Sequence, residues 1–328
     1  MSDLAWQPRT LPPPPRHTLA SVVTLTGVGL FTGRTSVLSL LPLHPAAMQA
    51  SSPEAQGGIF FRGVQSPAPS LIPATIHYLI PERRRTVIGH APSPVSGDMA
   101  IVPTALPQPG FVVQTVEHLL SALTGMGITD AVVSIDGPEI PIGDGSAAPF
   151  VSLIKSAGIC RAQFDVYGAA SRGVARIVEP IRIQEGDGII EALPSSDPGL
   201  ALTYQLDYGF GASIPAQSAS LRCLPGVGVA DYADQISTAR TFCLLDEAVA
   251  MRKMGLFTSF EPKDLLVIGP DGPIDNSYRF PNEPARHKLL DLLGDLSLAG
   301  RVVQGAIVAT RAGHALNHRM ARALAALA

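Results

Sequence analysis

"TVEHLLSALTGMGITDAVVSIDGPEIPIGDGSAAPFVSLIKSAG", residues 115–158, changes secondary-structure period three times in one pass. Val116, Leu119, Leu120 and Leu123 recur at i, i+3, i+4 and i+7, an apolar stripe on a helix from about Thr115 to Thr124, and Gly125 closes it. "DAVVSIDG" reads as a strand, "PEIPIGDGSAAP" as a loop and "FVSLIKSAG" as a second helix. A helix, a strand and a helix in that order call for a sheet layered against helices. The strands it needs lie upstream: "TLASVVTLTGVGLFTGRTSVLSLLPL" (18–43) reads as a hairpin around Gly27, Gly29 and Gly33, with the glycines expected at positive φ, and "GGIFFRG" and "RRTVIG" continue the strand-like material.

The same plan follows downstream. "VARIVEPIRIQEG", "GIIEAL" and "ALTYQLDYG" read as strands, "EPARHKLLDLLGDLSLAG" (283–300) as a long helix, "VQGAIVATRAG" as a strand and "ALNHRMARALAALA" as a last helix. Both halves run strands first and helices last, which predicts two α+β domains of similar design. At 328 residues the chain has the length for two domains or one large one. "CRAQFDVYGAASRG" (160–173) loses periodicity and marks the boundary, giving 18–163 and 174–328 after a proline-rich lead-in over 1–17 that reads as extended and mobile. No short-period repeat is present.

Hydrophobic residues make up 46% and charged residues 16%, a globular composition, and a formal charge of -3 gives no general field for nucleic acid or an anionic membrane. Three cysteines, Cys160, Cys223 and Cys243, have no CxxC spacing, which argues against a disulfide framework and fits a reducing cytoplasm. The N-terminus lacks a signal-peptide pattern, and no apolar run reaches the ~18 residues of a membrane span, so a soluble protein is expected.

On the long helix Leu289, Leu292, Leu293 and Leu296 form the packing stripe, while His287, Asp291 and Asp295 fall at i, i+4 and i+8 on another face beside Lys288. A His and an Asp one turn apart can share a metal ion, though the same pair also fits a solvated surface, and catalytic zinc needs a third protein ligand. Glu117 and His118 are adjacent, so they point about 100° apart and cannot face one ligand together. One can bind a metal while the other serves the water beside it, with His118 as third ligand and Glu117 as general base. His314 stands where a strand ends and a helix begins, a place that suits a functional side chain and equally a helix flank. His17, His44, His77, His90 and His318 read as loop or exposed-face residues. "GVGLFTG" is one residue too long for a dinucleotide fingerprint, and "GDGSAAP" is not a nucleophile elbow.

Taken in order, "TGVGLFTG", the block from Thr115 to Phe150, "ARTF", "RHKLLDLLGDLSLAG" and "GHALNH" resemble the zinc-dependent UDP-3-O-acyl-N-acetylglucosamine deacetylases of lipid A biosynthesis, from about residue 18 to the C-terminus. The resemblance implies two related α+β domains, each a sheet layered against helices, with the site in the cleft between them. It implies one zinc ion held by His118, His287 and Asp291, with Glu117 as general base. It further implies His314 as the group that protonates the leaving amine, Asp295 as its orienting partner, Thr241 and Lys288 at the oxyanion and substrate, and Phe242 near the sugar. The partner expected is an acylated UDP-sugar, handled by a monomer in the cytoplasm, with an acyl passage formed by an insert around 243–278.

Two positions depart from the family pattern. Phe31 stands where the family's "GVGLHSG" has a histidine, and "TSF", Thr258–Phe260, replaces a glycine-rich "GGS" run in the insert. Acyl-chain selectivity and catalytic rate are where these changes are expected to act, not the zinc site. A deacetylase of a different acylated sugar nucleotide, and a catalytically silent sugar-nucleotide or acyl-chain binding protein, are the alternative functions. Retention of Glu117, His118, His287, Asp291 and His314 argues against the silent form.

Overall fold

The computed structural model describes residues 15–43, 57–64, 71–89, 111–162 and 174–327. Most of the proline-rich lead-in, His44, His90 and nearly all of the 160–173 boundary stretch lie outside the described residues.

The α+β class follows from two sheets built on one plan. The first runs, edge to edge, Val23–Val28, Thr35–Pro42, Ala131–Asp136, Ile59–Gly63, Ile72–Pro73. The second runs Ile181–Glu185, Gly188–Leu193, Val302–Thr310, Leu200–Leu206, Gln217–Leu224, Gly228–Val229, with Val174–Arg176 also pairing with Val302–Thr310. In each, the middle strand is the last in sequence, antiparallel to the hairpin on one side and parallel to its neighbour on the other. A parallel pair cannot be closed by a tight turn, so each half needs a crossover segment. In the first half that segment contains the helix Glu117–Gly125, in the second the helix Glu283–Ser297. A further helix follows each middle strand, Ala148–Ala157 and His314–Ala325. The strand expected between the two helices of each half is the one that inserts into the centre of the sheet.

The hairpin around the glycine loop forms as expected between Val23–Val28 and Thr35–Pro42. Of its three glycines only Gly33 has a positive φ, 62°. Gly29 is required by close approach instead: a Cβ there would sit 2.4 Å from Glu139 Oε2.

The two crossover helices pack on each other, and Glu283–Ser297 also packs on His314–Ala325 and on the strands Leu200–Leu206 and Gln217–Leu224. Leu119, Leu120 and Leu123 join Leu289, Leu292, Leu293 and Leu296 in one core. Partners on so many sides bury the polar faces as well, and His287, Asp291, Asp295, Glu117 and His118 are all buried. The crossing is close because of Gly294, where a Cβ would lie 2.1 Å from the Glu117 carbonyl oxygen. Backbone cannot swing aside as a side chain can, so Gly294→Ala is expected to cost about 1–3 kcal/mol or more through overpacking. Denaturant unfolding measures this, and an unchanged midpoint would contradict the tight crossing.

Residues 243–278 include a helix, Leu245–Lys253, joining the parallel strands Phe242–Leu244 and Leu266–Gly269, with Gly272–Pro273 added at the edge. A three-stranded sheet of Leu79–Ile80, Val87–Gly89 and Val112–Gln114 leads into the first crossover helix. Among the described residues no helix is long and apolar enough to cross a membrane.

Candidate active site

The first crossover helix starts from a strained residue. Thr115 has φ 59°, the left-handed region that a β-branched side chain rarely adopts. Buried Glu139 holds it: the Thr115 hydroxyl donates to Glu139 Oε1 at 2.8 Å, while the N–H groups of Phe31 and Thr32 donate to the same carboxylate at 3.0 and 2.8 Å. One side chain thus ties the glycine loop to the turn that sets Glu117 and His118 in the first helical turn, where the helix dipole favours a carboxylate.

Glu117 and His118 diverge as adjacent helical residues must. His118 Nε2 lies 3.4 Å from Asp291 Oδ1, and His287 Nε2 lies 3.4 Å from the same oxygen. Ligand atoms of His118, His287 and Asp291 all fall within 4.8 Å of one another. The two imidazoles stand perpendicular, ring centres 4.9 Å apart. His287 Nδ1 donates to the Ala239 carbonyl at 3.1 Å, which turns Nε2 inward. Burial pushes the His287 imidazole down to about 3, so it is neutral at pH 7 with a free lone pair. Burial alone would raise the Asp291 carboxyl, but the positive field of its neighbours, with the Lys288 ammonium donating to Oδ2 at 2.8 Å, holds it well below the usual carboxylate range. Asp291 Oδ1, buried between two imidazole nitrogens, makes no hydrogen bond. An ionised oxygen left unpaired in the interior is costly unless a cation meets it, and two imidazole nitrogens with one carboxylate form a donor set suited to a divalent transition metal.

Glu117 lies beside this trio, with its carboxylate facing His314. Its Oε2 accepts from the Thr86 N–H at 3.0 Å, and Oε1 lies 4.0 Å from His314 Nε2. Burial raises the Glu117 carboxyl, with His314 and His118 acting against it. His314 Nδ1 donates to Asp295 Oδ2 at 2.7 Å. Burial alone would lower the His314 imidazole, but Asp295, helped by Asp291 and Glu117, lifts it to about 9. Asp295 in turn is held below its ordinary range against burial by His314 and His318.

Asp295, His314 and His318 also bring ligand atoms within 4.8 Å of one another. This second cluster is filled differently, because Asp295 already accepts from the Thr86 hydroxyl at 2.5 Å, Asn317 Nδ2 at 2.9 Å and His314. Both Asp295 oxygens there have hydrogen-bond donors, whereas the first cluster leaves a carboxylate oxygen unpaired.

Lys288 Nζ donates to Asp291 Oδ2 at 2.8 Å and stands 5.8 Å from the centre of the Phe242 ring. Phe242 meets His287 edge-on, centroids 6.3 Å apart. Thr241 follows the Ala239 carbonyl by two residues and is fixed by its N–H donating to the Gly145 carbonyl at 2.6 Å. Between them Arg240 is buried against Glu283 at 2.8 Å, locking this segment to the start of the long helix. Thr241 and Phe242 line a mainly apolar cavity of about 190 Å³ that runs under Val249, Phe257, Phe260 and Leu265. The two departures from the family pattern meet at one wall. Phe31 packs edge-on against Phe257 at 5.4 Å, in one cluster with Phe260, and the Arg85 guanidinium sits 4.5 Å over the Phe31 ring.

His118, His287, Asp291, Glu117, His314, Asp295 and Lys288 are therefore brought together, with Phe242 and Thr241 adjoining. Sequence reasoning missed Thr86, Asn317, Glu139 and His318. His318, expected in a loop or on an exposed face, is instead buried, 2.9 Å from the Thr86 hydroxyl and 3.4 Å from Asp295. Its i+4 spacing from His314, the rule that singled out His287 and Asp291, was the available signal.

A model of the UDP-3-O-acyl N-acetylglycosamine deacetylase family matches residues 16–326. A relative from Nostoc sp. named UDP-3-O-acyl-N-acetylglucosamine deacetylase is 34% identical over 319 residues, 95% of this chain and 99% of that protein. Relatives of the same name from Myxococcus xanthus and Geobacter sp. are 34% and 35% identical, covering 94% and 93% of this chain and 85% and 87% of their own. Likeness over nearly the full length, through both sheets and both crossover helices, leaves one assignment: the chain belongs to the UDP-3-O-acyl N-acetylglycosamine deacetylase family.

Proposed function

We propose that this protein is a zinc-dependent amide hydrolase that removes acetate from UDP-3-O-acyl-N-acetylglucosamine, the deacetylation of lipid A biosynthesis, acting as a cytoplasmic monomer of two domains over 18–163 and 174–328. The observation that carries the reading is the unpaired Asp291 Oδ1 facing the Nε2 atoms of His118 and His287. These three residues would hold one zinc ion. A zinc ion held there would polarise the amide carbonyl and make water acidic enough to attack near neutral pH. Glu117 takes the proton from the attacking water, its carboxylate fixed by the Thr86 N–H. A carbon–oxygen bond forms, the carbon–nitrogen bond breaks, and His314 gives its proton to the departing amine nitrogen. Asp295 keeps His314 cationic for that step. Thr241 and Lys288 bind the substrate and its developing oxyanion, Phe242 flanks the sugar, and the cavity beneath Phe257 and Phe260 takes the acyl chain.

The contact of Phe31 with Phe257 favours a second reading, the same chemistry on a sugar nucleotide carrying a different acyl group. Acetate release by the purified protein, compared across acyl lengths and with a non-acylated analogue, tests both. No dependence on the acyl group would refute the cavity's role.

The proton roles fix the pH dependence. A raised imidazole pKa means the acid is loaded below it and lost above, so kcat is expected to fall as pH rises through about 9. Asp295→Asn removes the charge that opposes burial, so the basic limb should move to lower pH. A limb that stays in place in this variant would sink the pairing.

A further inference from the structure

Thr86 is fully buried, one residue before the strand Val87–Gly89. Every polar group it has goes to the site. Its N–H donates to Glu117 Oε2 at 3.0 Å, and its carbonyl accepts from the Val116 N–H at 3.2 Å, which holds both the side chain and the start of the helix carrying Glu117. Its hydroxyl lies 2.5 Å from Asp295 Oδ1 and 2.9 Å from His318 Nε2. An ionised carboxylate can only accept, so the single hydroxyl proton goes to Asp295, and the oxygen accepts from His318 Nε2–H. Asp295 is left with Oδ2 for His314 Nδ1–H at 2.7 Å and Asn317.

We propose that Thr86 is the positioning residue that couples the two proton-handling arms of the site, the Glu117 arm through its backbone and the Asp295–His314 arm through its hydroxyl. This rests on the amide-hydrolase reading above. Glu117 Oε1 and His314 Nε2 come within 4.0 Å of each other from different helices, and Thr86 is bonded to both arms. Base and acid must flank the same breaking bond, so their separation sets the rate of the chemical step far more than it sets binding. Threonine suits the role: branching at Cβ restricts χ1, which aims the hydroxyl, and valine would match its shape without the hydrogen bonds.

The test compares Thr86→Val and Thr86→Ser. For Thr86→Val, kcat should fall about 10- to 100-fold, the usual loss when a supporting hydrogen-bond partner of a site residue is removed, with KM within about twofold and zinc content unchanged. Thr86→Ser, which keeps the hydroxyl, should stay within about threefold of the natural protein in kcat. If the valine variant does not fold, Thr86→Ala removes the hydroxyl without adding bulk and should show the same split. A loss confined to KM, a serine variant as slow as the valine one, or no loss at all would overturn the proposal. A second readout does not need turnover: the downfield proton resonance of the His314 Nδ1–H bond to Asp295 should persist in Thr86→Ser and shift or vanish in Thr86→Val. An unchanged resonance overturns the coupling even if no acetate is released, whereas a changed resonance in a protein that releases none overturns the hydrolase reading and supports the coupling.

Discussion

Glu117→Gln is expected to lower kcat by about 10²- to 10⁴-fold, the span that general-base catalysis supplies, while leaving bound zinc unchanged. Glutamine has the same length and shape, and its amide oxygen can still accept from the Thr86 N–H that fixes Glu117 Oε2 at 3.0 Å. What it lacks is the capacity to take a proton. Glu117 is not one of the three donors gathered by His118, His287 and Asp291 but lies beside them, its Oε1 4.0 Å from His314 Nε2, so the metal should be held as before. Steady-state kinetics with metal analysis on the same preparation gives both numbers. A variant above roughly one-tenth of natural activity would remove Glu117 from the base role.

His118→Ala, one residue along, should do the opposite to the metal. It removes one of three ligand atoms gathered within 4.8 Å and leaves Asp291 Oδ1 facing a single imidazole. Zinc affinity should drop by more than the about 10- to 100-fold seen when only a supporting partner of a ligand is lost. Activity at limiting zinc should vanish. The fold should persist, because His118 makes no hydrogen bond through Nδ1 and its helix is held by Leu119, Leu120 and Leu123 in the core. Full zinc and full activity in this variant would mean that the ligand assignment is wrong. Neighbouring substitutions with contrasting metal content are difficult to explain by general damage.

These two residues also show how far the amino-acid sequence carries. The apolar spacing at 116–123 and 289–296 marks both crossover helices, and residue type plus one-turn spacing singles out His287 and Asp291. The divergence of adjacent side chains on a helix already separated the tasks of Glu117 and His118. Periodicity could not say that both polar faces would be buried, because that depends on two helices from distant parts of the chain crossing at Gly294. Nor could it find Thr86, which stands in an arginine run 31 positions before Glu117 and 209 before Asp295, and whose role exists only once three separate elements meet. Glu139 lies in a loop by its sequence, and its work of holding Thr115 in a left-handed conformation is legible only in three dimensions. Resemblance to a family placed Thr241, Phe242 and His314; spacing alone left His314 open.

Acetate release from UDP-3-O-acyl-N-acetylglucosamine, measured on the purified protein before chelation, after chelation and after adding back stoichiometric zinc, tests the central claim most directly. A metal deacetylase built on His118, His287 and Asp291 predicts release, loss and recovery, in that order. Release that survives complete removal of metal, or no release in any of the three states, would contradict it.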